Sequence, residues 1–182
     1  MTKWLMWLLG GVLLGGIVHL ATVLWLPRTA TQDAYSRLVP VTQVNAVTPL
    51  PDPSPEQPLL PYMDPAFATA VCRYDLAEGP LQFSLNVSQA YTSVSFYTRY
   101  GQAYYAINDR AAGRRVIELD LMTEQQHSEM PEEEDVTAAD RLIVESPTTT
   151  GIIVMKALAP EPGLMTMARD ALASGRCRHP ES

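Results

Sequence analysis

The sequence predicts a mainly β fold: an antiparallel β-sandwich or jelly-roll-like domain with a C-terminal helix, preceded by one N-terminal transmembrane helix. Three observations carry this. Trp4 to Leu26 contains no Asp, Glu, Lys or Arg. Further along, segment after segment alternates apolar and polar residues with a period of two. Short clusters of turn residues separate these segments, at the spacing of sandwich strands. Residues 1–27 then form the anchor, 28–61 a Pro-rich juxtamembrane linker, and 62–182 the β domain.

The anchor reads WLMWLLGGVLLGGIVHLATVLWL. As a helix rising 1.5 Å per residue it reaches about 34 Å, enough for a hydrocarbon core of about 30 Å. Trp4, Trp7 and Trp25 lie near its ends, where amphipathic rings favour the headgroup boundary. A cleaved signal peptide has a shorter apolar stretch and a small-residue cleavage site, and WLPRTA is a poor one. Pro27 and Arg28 are expected to stop the helix. Gly10-Gly11 and Gly15-Gly16 permit close helix approach, but glycine is common in membrane helices. His19 is an intramembrane imidazole that can satisfy itself on a backbone carbonyl. Lys3 before the span and Arg28 and Arg37 after it nearly balance, so charge alone sets the orientation weakly.

Prolines crowd the linker, above all in TPLPDPSPEQPLLP. Such spacing favours polyproline II and forbids helix or central strand, which predicts a semi-rigid spacer. Upstream, Thr31 to Val39 suits a short helix capped by Thr31, with Ala34, Tyr35 and Leu38 on one side.

Strands are expected as follows. Ala70, Cys72, Tyr74 and Leu76 form one row. Leu81, Phe83, Leu85 and Val87 oppose Gln82, Ser84 and Asn86, while Ile117, Leu119 and Leu121 oppose Glu118 and Asp120. Thr92 to Arg99, Ala103 to Ile107, Arg141 to Glu145 and Ile152 to Leu158 complete the set. Turns are expected at 77–80, Tyr100-Gly101, 108–113 and 147–151. A final helix opens at Pro162, carries the stripe Leu164, Met167, Ala168 and Leu172, and ends at Gly175; Met165 and Met167 read as core filler.

Cys72 and Cys177 are the only cysteines. The pair suits one disulfide in an oxidising compartment, and the alternative is two buried thiols on a cytosolic domain.

Composition narrows the function classes. A net charge of −7 opposes nucleic-acid binding, which needs a basic face. The histidines, His19, His127 and His179, lack spaced partners, so no metal site is expected. The run Glu129 to Asp135 lacks the ordered alternation of a calcium loop and reads as a solvated acidic loop. No G-x-S-x-G, S-x-x-K or Cys–His arrangement occurs, so no catalytic residue and no cofactor is assigned. One stretch, FYTRYGQAYYAINDR, interleaves aromatic and charged residues. Tyr97, Arg99, Tyr104, Asn108 and Arg110 are its candidate ligand-binding residues; the competing reading is a hairpin whose tyrosines pack on the sheet.

CRYDLAEGPLQF (Cys72 to Phe83), SVSFYTRYGQAYYAINDR (Ser93 to Arg110), the last cysteine after a helix, and LPRTATQDAYSRL (Leu26 to Leu38) resemble uncharacterised alphaproteobacterial membrane-anchored proteins related to the DUF1254 family. The resemblance implies an inner-membrane, single-pass anchor, a periplasmic β domain, and no assigned activity. By this resemblance the chain is expected to carry a short version of the domain, without the DUF1214 partner domain often found with it.

The leading expectation is a non-enzymatic envelope protein. It would touch membrane lipid through its N-terminal helix and bind another envelope protein, with no nucleic acid. The alternatives are a small-ligand or carbohydrate-binding domain with weak hydrolase activity, and a purely structural spacer.

Overall fold

The computed structural model describes residues 2–29, 33–54, 56, 59–113, 115–130 and 142–180. Two compact units form, Met1–Asp33 and Ala34–Ser182.

The first unit is the helix α1, Thr2–Thr29. Its side chains from Thr2 to Leu26 are exposed all round, and that stretch has the length and hydropathy to cross a membrane. The helix does not stop at Pro27 but runs on to Thr29.

In the second unit the alternating segments become strands. β1 is Val47–Pro49, β2 Phe67–Asp75, β3 Leu81–Asn86, β4 Thr92–Thr98 and β5 Ala103–Asn108. β6 is Val116–Thr123, β7 Leu142–Ser146, β8 Thr150–Leu158 and β9 Arg176–Arg178. Sheet A has the order β1-β2-β8-β4-β5 and sheet B the order β7-β6-β3-β9. Among the described residues the pairings between these strands are antiparallel except β6 with β7, which is parallel. The inner faces of the two sheets make one core. Ala70, Cys72, Tyr74, Phe96, Ile153 and Met155 come from sheet A, and Leu81, Phe83, Leu85, Ile117, Leu119 and Leu121 from sheet B. Phe83 and Phe96 meet edge-to-face across it, centroids 6.2 Å apart. The fold is mainly β, two face-packed sheets, as the periodicity implies.

Cys72 on β2 and Cys177 on β9 form a disulfide across this core, joining the sheets over a sequence separation of 105. It ties the first long strand to the last short one.

The remaining elements are short. Asn108 caps a single helical turn, α3 (Asp109–Ala112), which Gly113 closes at φ 61°. α4 (Glu124–Ser128) starts from a capping box of Thr123 and Gln126. A tight turn at Pro162–Leu164 leads into α5, Met165–Ala173, which packs on β1, β2 and β8 of sheet A and β3 of sheet B. The stripe on α5 is narrower than expected. Ala168 and Leu172 are buried and Met165 packs on the core, but Leu164 and Met167 are exposed. A helix lying across a sandwich this way buries one narrow line of side chains. Arg141, Thr31 and the acidic residues 132–135 lie outside the described residues.

The segment expected as a free spacer packs on the domain over much of its length. α2, Ala34–Leu38, and the turn Val39–Val41 lie on the outer face of sheet A. There Leu38 is buried against Val71 and Ile152, with Tyr35, Leu50, Leu59 and Leu60 around them. Val47–Pro49 pairs with β2 as an edge strand. Proline tolerates an edge, where its missing N–H faces away from the ladder.

Candidate functional site

The hairpin residues selected from sequence are split by the fold. Ser93 lies opposite Asn108 and Tyr97 opposite Ala103. Tyr97 and Arg99 therefore sit at one end of the hairpin, Asn108 and Arg110 at the other. A bulge between Phe96 and Tyr97 shifts the register. This bulge turns both Tyr104 and Tyr105 onto Phe96, at 6.2 and 5.8 Å between centroids, where strict alternation would admit one.

Three of the five are already engaged. The Tyr104 hydroxyl donates to Tyr74 Oη at 3.1 Å. Tyr74 in turn shares a 2.9 Å hydrogen bond with Ser146 Oγ, which donates to the Thr148 carbonyl. Burial, then the neighbouring Tyr74, raises the Tyr104 pKa well above the ordinary 10.0, so this phenol stays neutral. Arg99 stacks on the Tyr35 ring at 4.2 Å and reaches Ser36 Oγ at 3.5 Å, while Arg73 approaches the same ring at 5.4 Å. Asn108 Oδ1 accepts from the Ala111 amide at 2.8 Å. Arg110 is exposed on α3 and Tyr97 is half-buried on the outer side of sheet A. Of the selected residues, Arg99 thus ties the domain to its N-terminal arm and Tyr104 closes a hydroxyl chain within the domain. Tyr105, with Ile107, Ala112, Val116 and Leu142, lines an apolar cleft of about 380 Å³ at the open edge of the sandwich.

A different surface collects polar side chains, four of them uncommitted among the described residues. On sheet B the outward residues of three adjacent strands fall into two rows. Glu118 of β6, Ser84 of β3 and Arg176 of β9 form one; Asp120, Gln82 and Arg178 form the other. Together they line a groove of about 210 Å³. With strands about 4.8 Å apart, the backbones of β6, which carries the two acids, and β9, which carries the two arginines, stand about 10 Å from each other across β3. Asp120 and Arg178 have contacts of their own. Gln82, Ser84, Glu118 and Arg176 have no side-chain hydrogen bond or ion pair among the described residues.

The outward placement of Gln82, Ser84, Glu118 and Asp120 was legible as alternation. Sequence reading missed the arginines, because β9 is only three residues long. The signal was present: Arg-Cys-Arg puts a disulfide cysteine inward and two charges outward.

Beside the groove, Asn45 adopts φ 54° and holds both backbone groups of Asp75, its Oδ1 accepting at 2.8 Å and its Nδ2 donating at 3.0 Å. That same Nδ2 meets His179 Nε2 at 2.9 Å, and His179 Nδ1 meets the Pro80 carbonyl at 2.9 Å. An amide donor on one ring nitrogen and a carbonyl on the other select the neutral Nδ1–H tautomer. Among the described residues no three of His, Cys, Asp and Glu gather as a metal site.

Fold and surface define the class: a disulfide-linked two-sheet β domain with a polar groove on one outer face. The chain belongs to the family described as "Protein of unknown function (DUF1254)", whose model matches residues 41–176. This match starts inside the docked arm. The VPA0106 protein of Vibrio parahaemolyticus, a crystal structure, is similar with a TM-score of 0.59 at 12% identity over 80% of this chain and 34% of that one. An uncharacterized protein from Burkholderia cenocepacia gives a TM-score of 0.46 at 13% identity over 68% of this chain and 33% of that one. The chain thus spans about a third of the length of the solved structures it matches. No curated protein matches it.

Proposed function

We propose that this protein is a membrane-tethered, non-enzymatic binding module of the bacterial cell envelope, with α1 in the inner membrane and the β domain in the periplasm. The Cys72–Cys177 disulfide carries the reading, because such bonds persist in oxidising compartments and are rare in the cytosol. The long apolar helix at the N-terminal end supports the tether. Uncommitted polar side chains on sheet B support binding.

Fractionation with thiol labelling tests it. The full-length protein stays in the membrane pellet through an alkaline carbonate wash, and Cys72 and Cys177 label only after reduction. Recovery in the soluble fraction, or labelling without reductant, overturns the reading. Crosslinking in intact cells then recovers a stoichiometric partner if that partner is another envelope protein.

A further inference from the structure

Resting on the reading of the protein as a binding module, we infer that a small-molecule site lies at one end of the sandwich, where β3 crosses over to β4. Its ligand is neutral and rich in hydroxyls, one monosaccharide unit in size, and Asp109 is the group that holds it.

Strand register builds the place. Asn86 at the end of β3 lies opposite Val116 at the start of β6, and Ser93 near the start of β4 lies opposite Asn108 at the end of β5. The β3–β4 connection, the start of α3 and the approach to β6 therefore gather at the same end. The Val87 amide donates to the Arg115 carbonyl at 2.8 Å, which fixes two of these segments together. Val87, Ser88, Gln89, Asp109 and Arg115 line a cleft of about 450 Å³ there. Small-molecule sites commonly measure about 300–1,000 Å³.

Asp109 is the first ground. Its Oδ1 is shielded from solvent and has no hydrogen-bond partner, and the side chain has no ion pair among the described residues. Helix capping does not account for it, because Asn108 Oδ1 already accepts from the Ala111 amide. Attraction to the helix dipole does not account for it either. That effect favours an acid in water at the first turn, not an oxygen removed from water without a donor. A ligand that brings a donor satisfies it.

The surroundings set the ligand class. Arg115 is exposed, and its guanidinium has no partner among the described residues. Ser88 Oγ accepts from Thr92 Oγ1 at 2.9 Å, so its own proton is free to donate. Gln89 has no side-chain partner among the described residues. The cleft thus offers one acceptor-only group, one donor-only group and an amide that does both. A simple ion gains from one of the two charges and is repelled by the other. A zwitterion needs its charges at one fixed separation. Hydroxyls escape both constraints, since each donates and accepts. Neighbouring hydroxyls on a ring can donate to Asp109 and accept from Arg115 and Gln89, and hydrogen bonds to charged groups are the stronger kind.

The test is a ligand-observed NMR titration of the full-length protein in polyoxyethylene micelles, a detergent without sugar. Glucose, galactose, mannose and N-acetylglucosamine are the neutral probes; methylammonium, acetate and glycine are the charged ones. At least one sugar binds saturably in the millimolar range, and every charged probe binds more weakly. Asp109→Asn keeps the shape but replaces an acceptor with a donor, and it weakens that sugar at least tenfold. Arg115→Gln weakens it severalfold. Asp109→Asn also melts no lower than wild type, because the fold draws nothing from the carboxylate. Four results overturn the inference: no saturable sugar signal at tens of millimolar, tighter binding of a charged probe, wild-type sugar binding by the double variant, or a lower melting temperature for Asp109→Asn. None of them touches the tethered-module reading, which fractionation, thiol labelling and crosslinking test separately.

Discussion

Sheets A and B have similar inner faces and opposite outer ones. The central strands of sheet A, β2 and β8, are covered on both sides: Val71 and Ile152 lie under Leu38 of the arm, and Arg73 is 8% exposed. The outer face of β3, β6 and β9 instead carries Gln82, Ser84, Glu118 and Arg176 in the open. The difference is written in the strand sequences. GIIVM on β8 is apolar at consecutive positions, as expected of a strand buried on both faces. LQFSLN on β3 alternates strictly, as expected of one buried face. One sheet has spent its outer face on holding the arm, and the other leaves the side chains of Gln82, Ser84, Glu118 and Arg176 uncovered.

The largest effect breaks the link between the sheets. Replacing Cys72 and Cys177 with alanine lowers unfolding free energy by about 4–5 kcal/mol in the chain-entropy account of a loop near 100 residues. A urea midpoint that does not move would show that the sheets hold without it. Next comes the arm. Leu38→Ala costs about 2–5 kcal/mol if Leu38 is core, and almost nothing if the arm is a spacer. Urea denaturation separates the two outcomes.

Gly151→Ala is smaller. A Cβ there meets the Tyr74 hydroxyl and the Tyr97 carbonyl, one of them backbone, so β4 and β8 must shift. Overpacking of this kind costs about 1–3 kcal/mol, read as a lower melting temperature.

Tyr104→Phe costs about 1 kcal/mol near neutrality, since it removes one buried hydrogen bond. Its pH signature is sharper. The folded pKa lies above the unfolded 10.0, so the contribution is complete below pH 10 and is lost as pH rises past it. The phenylalanine variant loses less stability than wild type between pH 9 and pH 11. The smallest effects fall on the open face: Glu118→Gln and Arg176→Gln each change stability by less than about 0.5 kcal/mol. A large loss in either would mean that those charges serve the fold, and sheet B would then resemble sheet A.

Much of this was legible before any coordinates. The apolar run of α1, the alternation in β3 and β6, and the even cysteine count each follow from short-range rules. Proline misled most in the arm. Its density pointed to an isolated spacer, yet Tyr35 lies between Arg73 and Arg99, and Arg73 Nε donates to Thr42 Oγ1 at 2.6 Å. Proline forbids helix interiors and central strands, but it does not forbid docking. The continuous apolar stretch of β8 was the available hint that something covers sheet A. The tyrosines needed the structure for a related reason: a one-residue bulge turned two neighbours, Tyr104 and Tyr105, onto Phe96, and bulges leave no clear mark in alternation.

What the sequence alone determined was local: that Trp4 to Leu26 is helical, which side of β3 and β6 faces inward, and that a bridge was available. Only the tertiary structure decided which strand lies beside which, that β7 runs parallel to β6, that the arm covers sheet A, and that Arg176 stands across Ser84 from Glu118. The reason is physical. Periodicity is set by backbone geometry within a few residues, whereas pairing and coverage depend on contacts between segments distant in the chain, which no local pattern specifies.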